Sequence, residues 1–257
     1  MIRFQLTYLL GFICLIPCMP ILYFHGRRVK QTMPNLPMAE GPQGQAGQGD
    51  PALRLLAVGE STIAGVGVDT HQLGITGQMA QKLSQHFGRA VQWKVFAHTG
   101  YTARVAREKL VPNIPDAPVD LVVIGLGGND AFELNSPLRW RRDFEALIAS
   151  IRQKIPNCPI LIANMPPSGE FPAFTGLMKF IFRNLIHLFD QSLKAMTAEL
   201  DEVYYVGNEI KVDEWIERIG GNVDIYDFFS DGVHPSPLTY RLWGEELAHY
   251  VFENRLL

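Results

Sequence analysis

Ser61, Asp231 and His234 are the residues of this 257-residue sequence whose types and spacing suit nucleophilic chemistry. Serine is a weak nucleophile that needs a neighbouring base to accept its proton, and a histidine can be that base. Asp231 lies three residues before His234, close enough within one turn to accept a hydrogen bond from the other imidazole nitrogen. Such a bond would fix the imidazole tautomer and stabilise the imidazolium. Together these residue types indicate acyl transfer through a serine nucleophile.

Acyl transfer also requires hydrogen-bond donors for the oxyanion of its tetrahedral intermediate. The backbone amides of Ser61 and Gly100 and the side-chain amide of Asn129 are the candidates. Gly100 has no side chain, so the backbone can approach a ligand closely at that position. We therefore predict an oxyanion hole formed by Ser61, Gly100 and Asn129.

The elements that must position these residues are short apolar runs typical of buried strands, at Leu53–Val58, Val91–Phe96 and Val119–Leu126. Each run is followed by a polar or glycine-rich tip, and these tips carry the serine and the oxyanion-hole candidates. The carboxyl ends of parallel strands lie at one edge of a sheet, which is where such sheets bind ligands. Tips from distant parts of the sequence can therefore converge.

Further strand and helix patterns alternate along the rest of the chain. We predict strands at Pro159–Ala163 and Val203–Val206, and helices at Gly74–Phe87, Ala103–Leu110, Leu138–Ile155, Phe171–Leu200 and Leu238–Phe252. This alternation predicts an α/β fold with a parallel sheet and helices on both faces.

Four blocks of the sequence resemble the SGNH (GDSL-type) hydrolases, in that family's order and spacing. Gly59-Glu60-Ser61 resembles the first block, with Glu60 where the family more often has aspartate. Gly100 resembles the second-block glycine, although His98 stands where asparagine is common. Gly127-Gly128-Asn129-Asp130 and Asp231-Gly232-Val233-His234 match the third and fourth blocks.

The resemblance covers roughly Leu53 to Phe252. It implies a flavodoxin-like three-layer α/β/α fold and esterase or lipase activity. It also implies Ser61, Gly100, Asn129 and His234 as the family's four named residues. We expect Glu60 to be tolerated because its side chain is not the nucleophile.

The N-terminal run Leu6–Phe24 carries no charged residue and is long enough to cross a bilayer as a helix. A cleaved signal peptide is the competing interpretation, but no small-x-small site follows the run directly. We predict that residues 1–30 form a single-pass transmembrane anchor with its flanks. Basic residues on both sides of the run leave the membrane side of the domain open.

The segment 31–50 is rich in Pro, Gly and Gln, a composition that predicts a flexible linker. The predicted organisation is therefore an anchor over residues 1–30, a linker over 31–50 and an esterase domain over 51–257.

The charge and cysteine content of the chain limit the classes of partner and cofactor that we expect. A net charge of −3 gives no basic footprint for nucleic acid. Cys14, Cys18 and Cys158 cannot form a disulfide framework for the domain, and no metal-ligand spacing appears. We expect no cofactor and no metal. The expected partners are a small-molecule, lipid or sugar ester and, through the N-terminal helix, a membrane.

Three functions remain open at this stage. The first is a membrane-anchored serine ester hydrolase, and the second is an acyltransferase or carbohydrate de-O-acetylase using the same site. The third is a catalytically silent anchored binding module. Nucleotide or flavin binding is disfavoured because residues 125–130 do not form a Gly-x-Gly-x-x-Gly loop.

Two secondary expectations concern other segments. The apolar residues between Phe174 and Phe189 predict either a buried helix or a wall or lid for an acyl chain, with Phe180 as the test position. Asp130 is expected to hold its own loop together through backbone amides.

Overall fold

Six strands form one sheet in the computed structural model, which describes residues 2–257. In chain order they are β1 (Gln43–Ala46), β2 (Leu53–Gly59), β3 (Val91–Ala97), β4 (Leu121–Gly125), β5 (Ile160–Ile162) and β6 (Val203–Tyr205). Their spatial order is β1-β3-β2-β4-β5-β6, with β1 antiparallel to β3 and every other pair parallel. The five parallel strands follow the flavodoxin-like order, which confirms the predicted fold class.

Helices cover both faces of the sheet. The helices are α1 (Ile2–Leu15), α2 (Met19–Thr32), α3 (Ile75–Phe87), α4 (Ala103–Lys109), α5 (Gly128–Phe132), α6 (Pro137–Lys154), α7 (Gly176–Thr197), α8 (Val212–Ile219) and α9 (Pro237–Asn254). α3, α8 and α9 contribute to the apolar core on one face, and α4, α6 and α7 to the core on the other. The result is three layers, α/β/α.

β2 is the central strand, and its sequence explains why it is buried on both faces. Leu55 and Ala57 belong to one core, while Leu56 and Val58 belong to the other. Successive side chains of a strand point to opposite faces, so an unbroken apolar run suits a strand covered on both sides.

The flexible-linker prediction for residues 31–50 is wrong at Gln43–Ala46, which form β1. This strand pairs with β3 along the edge of the sheet, where the outer backbone groups of β3 would otherwise lack strand partners. Gly44 lies opposite Trp93, and a Cβ at Gly44 would overlap the indole ring. Close packing on the indole and ladder hydrogen bonds thus outweigh the turn-forming composition.

α5 and α8 were also missed by the sequence patterns, and α7 is shorter than the predicted Phe171–Leu200. Both missed helices are short, at five and eight residues. Such helices depend on tertiary packing more than on their own propensity.

The N-terminal helical segment lies along the domain. Ile2–Thr32 is one run, with a 3₁₀ turn at Ile16–Cys18, and within the described residues it is the helix long and apolar enough to cross a membrane. The Tyr8 hydroxyl donates to the Leu134 carbonyl at 2.6 Å. His25 Nδ1 and Thr175 Oγ1 are hydrogen-bonded at 3.0 Å. The run therefore contacts the domain at both ends.

Candidate active site

Three strand ends meet at one edge of the sheet. Gly59, the last residue of β2, is opposite both Ala97 of β3 and Gly125 of β4 in the parallel register. A Cβ at Gly59 would lie only 2.4 Å from the Gly125 carbonyl oxygen, so the close approach of β2 and β4 requires glycine here. The three tips predicted to converge therefore start from the same level of the sheet.

A cavity of about 650 Å³ opens beside these tips. Its walls include all five predicted site residues: Ser61, Gly100, Asn129, Asp231 and His234. Gly100 has φ +81°, a conformation that favours glycine. The structure thus brings together residues that lie up to 173 positions apart in the sequence.

Asp231 and His234 form a hydrogen-bonded pair within one turn. His234 Nδ1 lies 2.7 Å from Asp231 Oδ2, and Asp231 Oδ1 accepts the backbone N–H groups of Val233 at 3.0 Å and His234 at 2.7 Å. Burial alone would raise the pKa of Asp231, but these hydrogen bonds hold the pKa below its ordinary value. The carboxylate form is therefore favoured, and it engages Nδ1, which leaves Nε2 as the nitrogen available to a serine.

The histidine turn is tied to the loop that follows β2. The Ser230 hydroxyl donates to the Gly67 carbonyl at 3.1 Å, and the Ser230 backbone N–H donates to the His234 carbonyl at 2.8 Å. These bonds connect the Asp231–His234 turn to the segment that carries Ser61.

Glu60 is a site residue whose role the sequence reasoning missed. Its buried carboxylate accepts the backbone N–H groups of Gly128 at 2.8 Å and Asn129 at 2.9 Å, and also the side-chain amide of Asn129. Burial raises the pKa of Glu60 to about 7, although the hydrogen bonds from Asn129 and Gly128 act in the opposite direction. Glu60 thereby fixes the Asn129 side chain, whose amide also lies 3.3 Å from the Tyr101 carbonyl oxygen.

Comparison with protein families identifies the family to which this chain belongs. The model of the GDSL-like lipase/acylhydrolase family matches residues 57–242. This chain belongs to that family. The predicted SGNH (GDSL-type) resemblance is confirmed, and membership makes the chain an ester-hydrolysing enzyme.

Solved structures share the fold of this GDSL-like hydrolase at low identity. A lipase from a goat rumen metagenome is 20% identical with a TM-score of 0.61, and the match covers 80% of this chain and all of that one. A lipase/acylhydrolase from Enterococcus faecalis is 18% identical (TM-score 0.56; 79% and 96% covered). A family 3 carbohydrate esterase from Clostridium thermocellum is 17% identical (TM-score 0.58; 80% and 97% covered). No curated protein matches the chain.

Asp130 of the GDSL-like hydrolase does not hold only its own loop, so that expectation is wrong. Its Oδ2 accepts the backbone N–H of Ala103 at 2.9 Å, and its Oδ1 accepts the Asn135 side-chain amide at 3.1 Å. Burial raises the pKa of Asp130 to about 6 against these hydrogen bonds. Two buried carboxylates therefore join the three strand tips. Glu60 links the tip after β2 to the tip after β4, and Asp130 links the tip after β4 to the start of α4, which follows the tip of β3.

In the apolar segment that includes α7, the helix buries one face and turns part of that face to the cavity. Phe174, Met178 and Phe182 line the cavity, while Phe180 is 69% exposed and lies outside its lining. The choice of Phe180 as a test of an acyl-chain wall was therefore wrong, because that side chain points away from the site. The pattern of an all-round apolar helix could not separate these faces.

Proposed function

We propose that this hydrolase is a membrane-associated serine esterase in which Ser61 is the nucleophile, His234 the general base and Asp231 the residue that orients it. The Asp231–His234 hydrogen bond, facing the cavity that Ser61 also lines, carries this proposal. The Ser61 and Gly100 backbone amides and the Asn129 side chain form the proposed oxyanion hole.

The proposed reaction has two stages, the acylation of Ser61 and the hydrolysis of the acyl-enzyme. His234 Nε2 takes the Ser61 hydroxyl proton as Oγ attacks the ester carbonyl carbon, and the oxyanion receives hydrogen bonds. The C–O bond to the leaving alcohol breaks, and the imidazolium returns the proton to that alcohol. Water, deprotonated by His234, then attacks the acyl carbon; the bond to Ser61 Oγ breaks, the imidazolium returns its proton to Oγ, and the carboxylic acid leaves.

Glu60 supports the Asn129 part of this hole. Nδ2 of Asn129 donates to Glu60 and, in a longer bond of 3.3 Å, to the Tyr101 carbonyl. In the proposed mechanism the oxyanion replaces Tyr101 as acceptor, while Glu60 keeps the amide in position.

A labelling experiment tests the nucleophile. The full-length protein is treated with a fluorophosphonate probe beside Ser61→Ala and the control Ser150→Ala, whose hydroxyl bonds within α6. We expect labelling of the wild type and the control and none of Ser61→Ala. Failure of a folded wild type to react would favour the silent binding module instead.

Hydrolysis and transfer share the acyl-enzyme and are separated by the acceptor. p-Nitrophenyl esters are assayed with and without an added alcohol or sugar, and the products are identified by mass spectrometry. We expect the free acid to remain the main product; a dominant new ester would assign the chain to the acyltransferases. Release of acetate from an acetylated sugar at a higher kcat/KM than from aryl esters would favour the de-O-acetylase.

We further propose that the N-terminal helix attaches the enzyme to a membrane. Its length, apolar composition and exposed outer face support this attachment. The predicted single pass has to accommodate the contacts that the helix makes with the domain from Tyr8 to His25.

A further inference from the structure

The N-terminal segment supplies one wall of the catalytic cavity. Val29 at the end of α2, and Met33 and Leu36 just beyond it, line the same cavity as Ser61 and His234. All three apolar side chains are half-buried. A simple tether would not need to contribute side chains to the reacting site.

The neighbouring wall is also apolar and comes from the domain. Phe132, Phe174, Met178 and Phe182 line it, and the Phe132 ring lies 5.7 Å from Phe174 and 5.1 Å from Phe182. Leu22 of α2, only 9% exposed, packs with Met178 and Phe182 and joins the two walls. The space between them suits an acyl chain better than a polar group, because burying apolar surface is favourable.

The opposite face of the same helix is exposed and apolar. Leu10 is 66% exposed, Ile13 61% and Phe24 65%. Arg27 and Arg28, also exposed, lie about one turn further along α2 and match the anionic headgroups of a lipid surface. One helix therefore contacts the cavity wall on one side and offers a surface for a bilayer on the other.

We infer that the N-terminal helix is part of the ester-binding site: Val29, Met33 and Leu36 hold the acyl chain of a lipid ester that enters from the membrane beside α2. This inference rests on the proposed serine esterase function. The helix thus sets the preference for acyl length and places the catalytic cavity at the membrane surface.

Matched methionine variants of the full-length enzyme test the wall. Met33→Ser removes a wall side chain, whereas Met38→Ser changes a 41% exposed methionine outside the cavity. Activity is measured on p-nitrophenyl acetate and on p-nitrophenyl palmitate carried in vesicles of phosphatidylcholine and phosphatidylglycerol. We expect Met33→Ser to lower kcat/KM for palmitate about tenfold, the loss of one buried apolar contact, and to leave acetate within about twofold. Met38→Ser should match the wild type on both esters.

A larger side chain in the cavity wall tests the same assignment from the opposite direction, by shortening the space for the acyl chain. Val29→Trp should shift the preferred chain length towards shorter acyl groups while fluorophosphonate labelling of Ser61 persists, which also checks folding. Vesicle co-sedimentation should be unchanged in every variant, so that a loss on palmitate cannot come from detachment.

The outcomes separate this inference from the proposed function. Equal loss on both esters with Met33→Ser, no loss on palmitate, or no palmitate hydrolysis by the wild type would overturn the wall assignment, even if acetate hydrolysis still requires Ser61. Absence of any Ser61-dependent hydrolysis would overturn the proposed function and the inference together.

Discussion

Glu60 shows how one side chain can organise the site without taking part in the bond changes. Its carboxylate collects the Gly128 and Asn129 backbone N–H groups and the Asn129 amide at a fully buried position. Aspartate, the residue more common in the family's first block, is one methylene shorter, so its reach to these donors would differ. The substitution is therefore part of how this chain holds its third tip.

Glu60→Gln is expected to lower kcat by about tenfold or more, because its amide NH₂ turns one acceptor into a donor facing N–H groups and leaves buried donors unpaired at about 1–3 kcal/mol each. KM for a small ester should change little, since the carboxylate is engaged by the Gly128 and Asn129 N–H groups. Steady-state kinetics with Glu108→Gln, an exposed glutamate, as the control measure this. An unchanged kcat in Glu60→Gln would remove Glu60 from the positioning of Asn129.

The pH dependence of stability provides a second test of Glu60. Its pKa of about 7 in the folded protein lies above the ordinary 4.5, so between these values the folded state holds a proton that the unfolded state has lost. This contribution is fully present below pH 4.5 and is lost as pH rises through 7; the shift corresponds to about 3 kcal/mol. Denaturant unfolding at several pH values should therefore show wild-type stability falling relative to Glu60→Gln over this range. Stability curves that run parallel for the wild type and Glu60→Gln would contradict the raised pKa of Glu60. The pKa of Asp130 is raised in the same direction, and the variant Asp130→Asn tests it in the same way.

At the scale of elements, the Asp231–His234 turn depends on Gly232. This glycine has φ +86°, and a Cβ there would lie 3.0 Å from the backbone nitrogen and Cβ of Ala173. The turn is thus held against the segment before α7, and its shape sets the direction of the imidazole.

Gly232→Ala is expected to lower kcat/KM by at least about tenfold, since strain of about 1–2 kcal/mol and the contact with Ala173 would displace the histidine turn. Gly221→Ala is the matched control, because Gly221 has φ +82° but open space around it. The control should lose similar stability in thermal unfolding while keeping its activity. Equal activity of both variants would show that the turn tolerates the displacement.

At the scale of the whole molecule, the helix contacts limit how the enzyme can sit on a membrane. Tyr8 and His25, which both bond to the domain, are about 25 Å apart along a helix. If the docked helix crossed the bilayer, the start of α6 would enter the hydrocarbon, because the Leu138 backbone N–H donates to Gln5 Oε1 at 3.3 Å. The charged side chains of Arg139 and Arg142, which are 46% and 73% exposed, would then lie in the hydrocarbon at a large cost in free energy.

We therefore expect the docked helix to lie along the membrane surface. Single cysteines at Arg3→Cys and Arg218→Cys, in a chain with Cys14 and Cys18 replaced by serine and the buried Cys158 by alanine, are exposed to a membrane-impermeant maleimide in sealed proteoliposomes. Both should label to the same extent, as expected for positions on one side. Labelling of only one before detergent is added would establish the single pass predicted from the sequence, with the helix released from the domain.

Much of the fold and the candidate site follows from the sequence because the relevant signals are local. The apolar run ending at Gly59 predicts the central strand, and Asp231 and His234 are close enough to pair within a turn. The blocks around Ser61, Gly100 and Asn129 predict the tips, and parallel topology requires them to meet at one edge.

Only the tertiary structure decided which residues the buried polar groups bond to and which residues the apolar groups pack against. Glu60 bonds to residues 68 and 69 positions later, and no local pattern predicts a partner at such distance. β1 forms because β3 offers an edge and Gly44 leaves room for the Trp93 ring. The sequence by itself indicated the candidate site residues and the alternation of strands and helices. Long-range packing decided the spatial order of the strands and that Val29 and Met33 line the cavity.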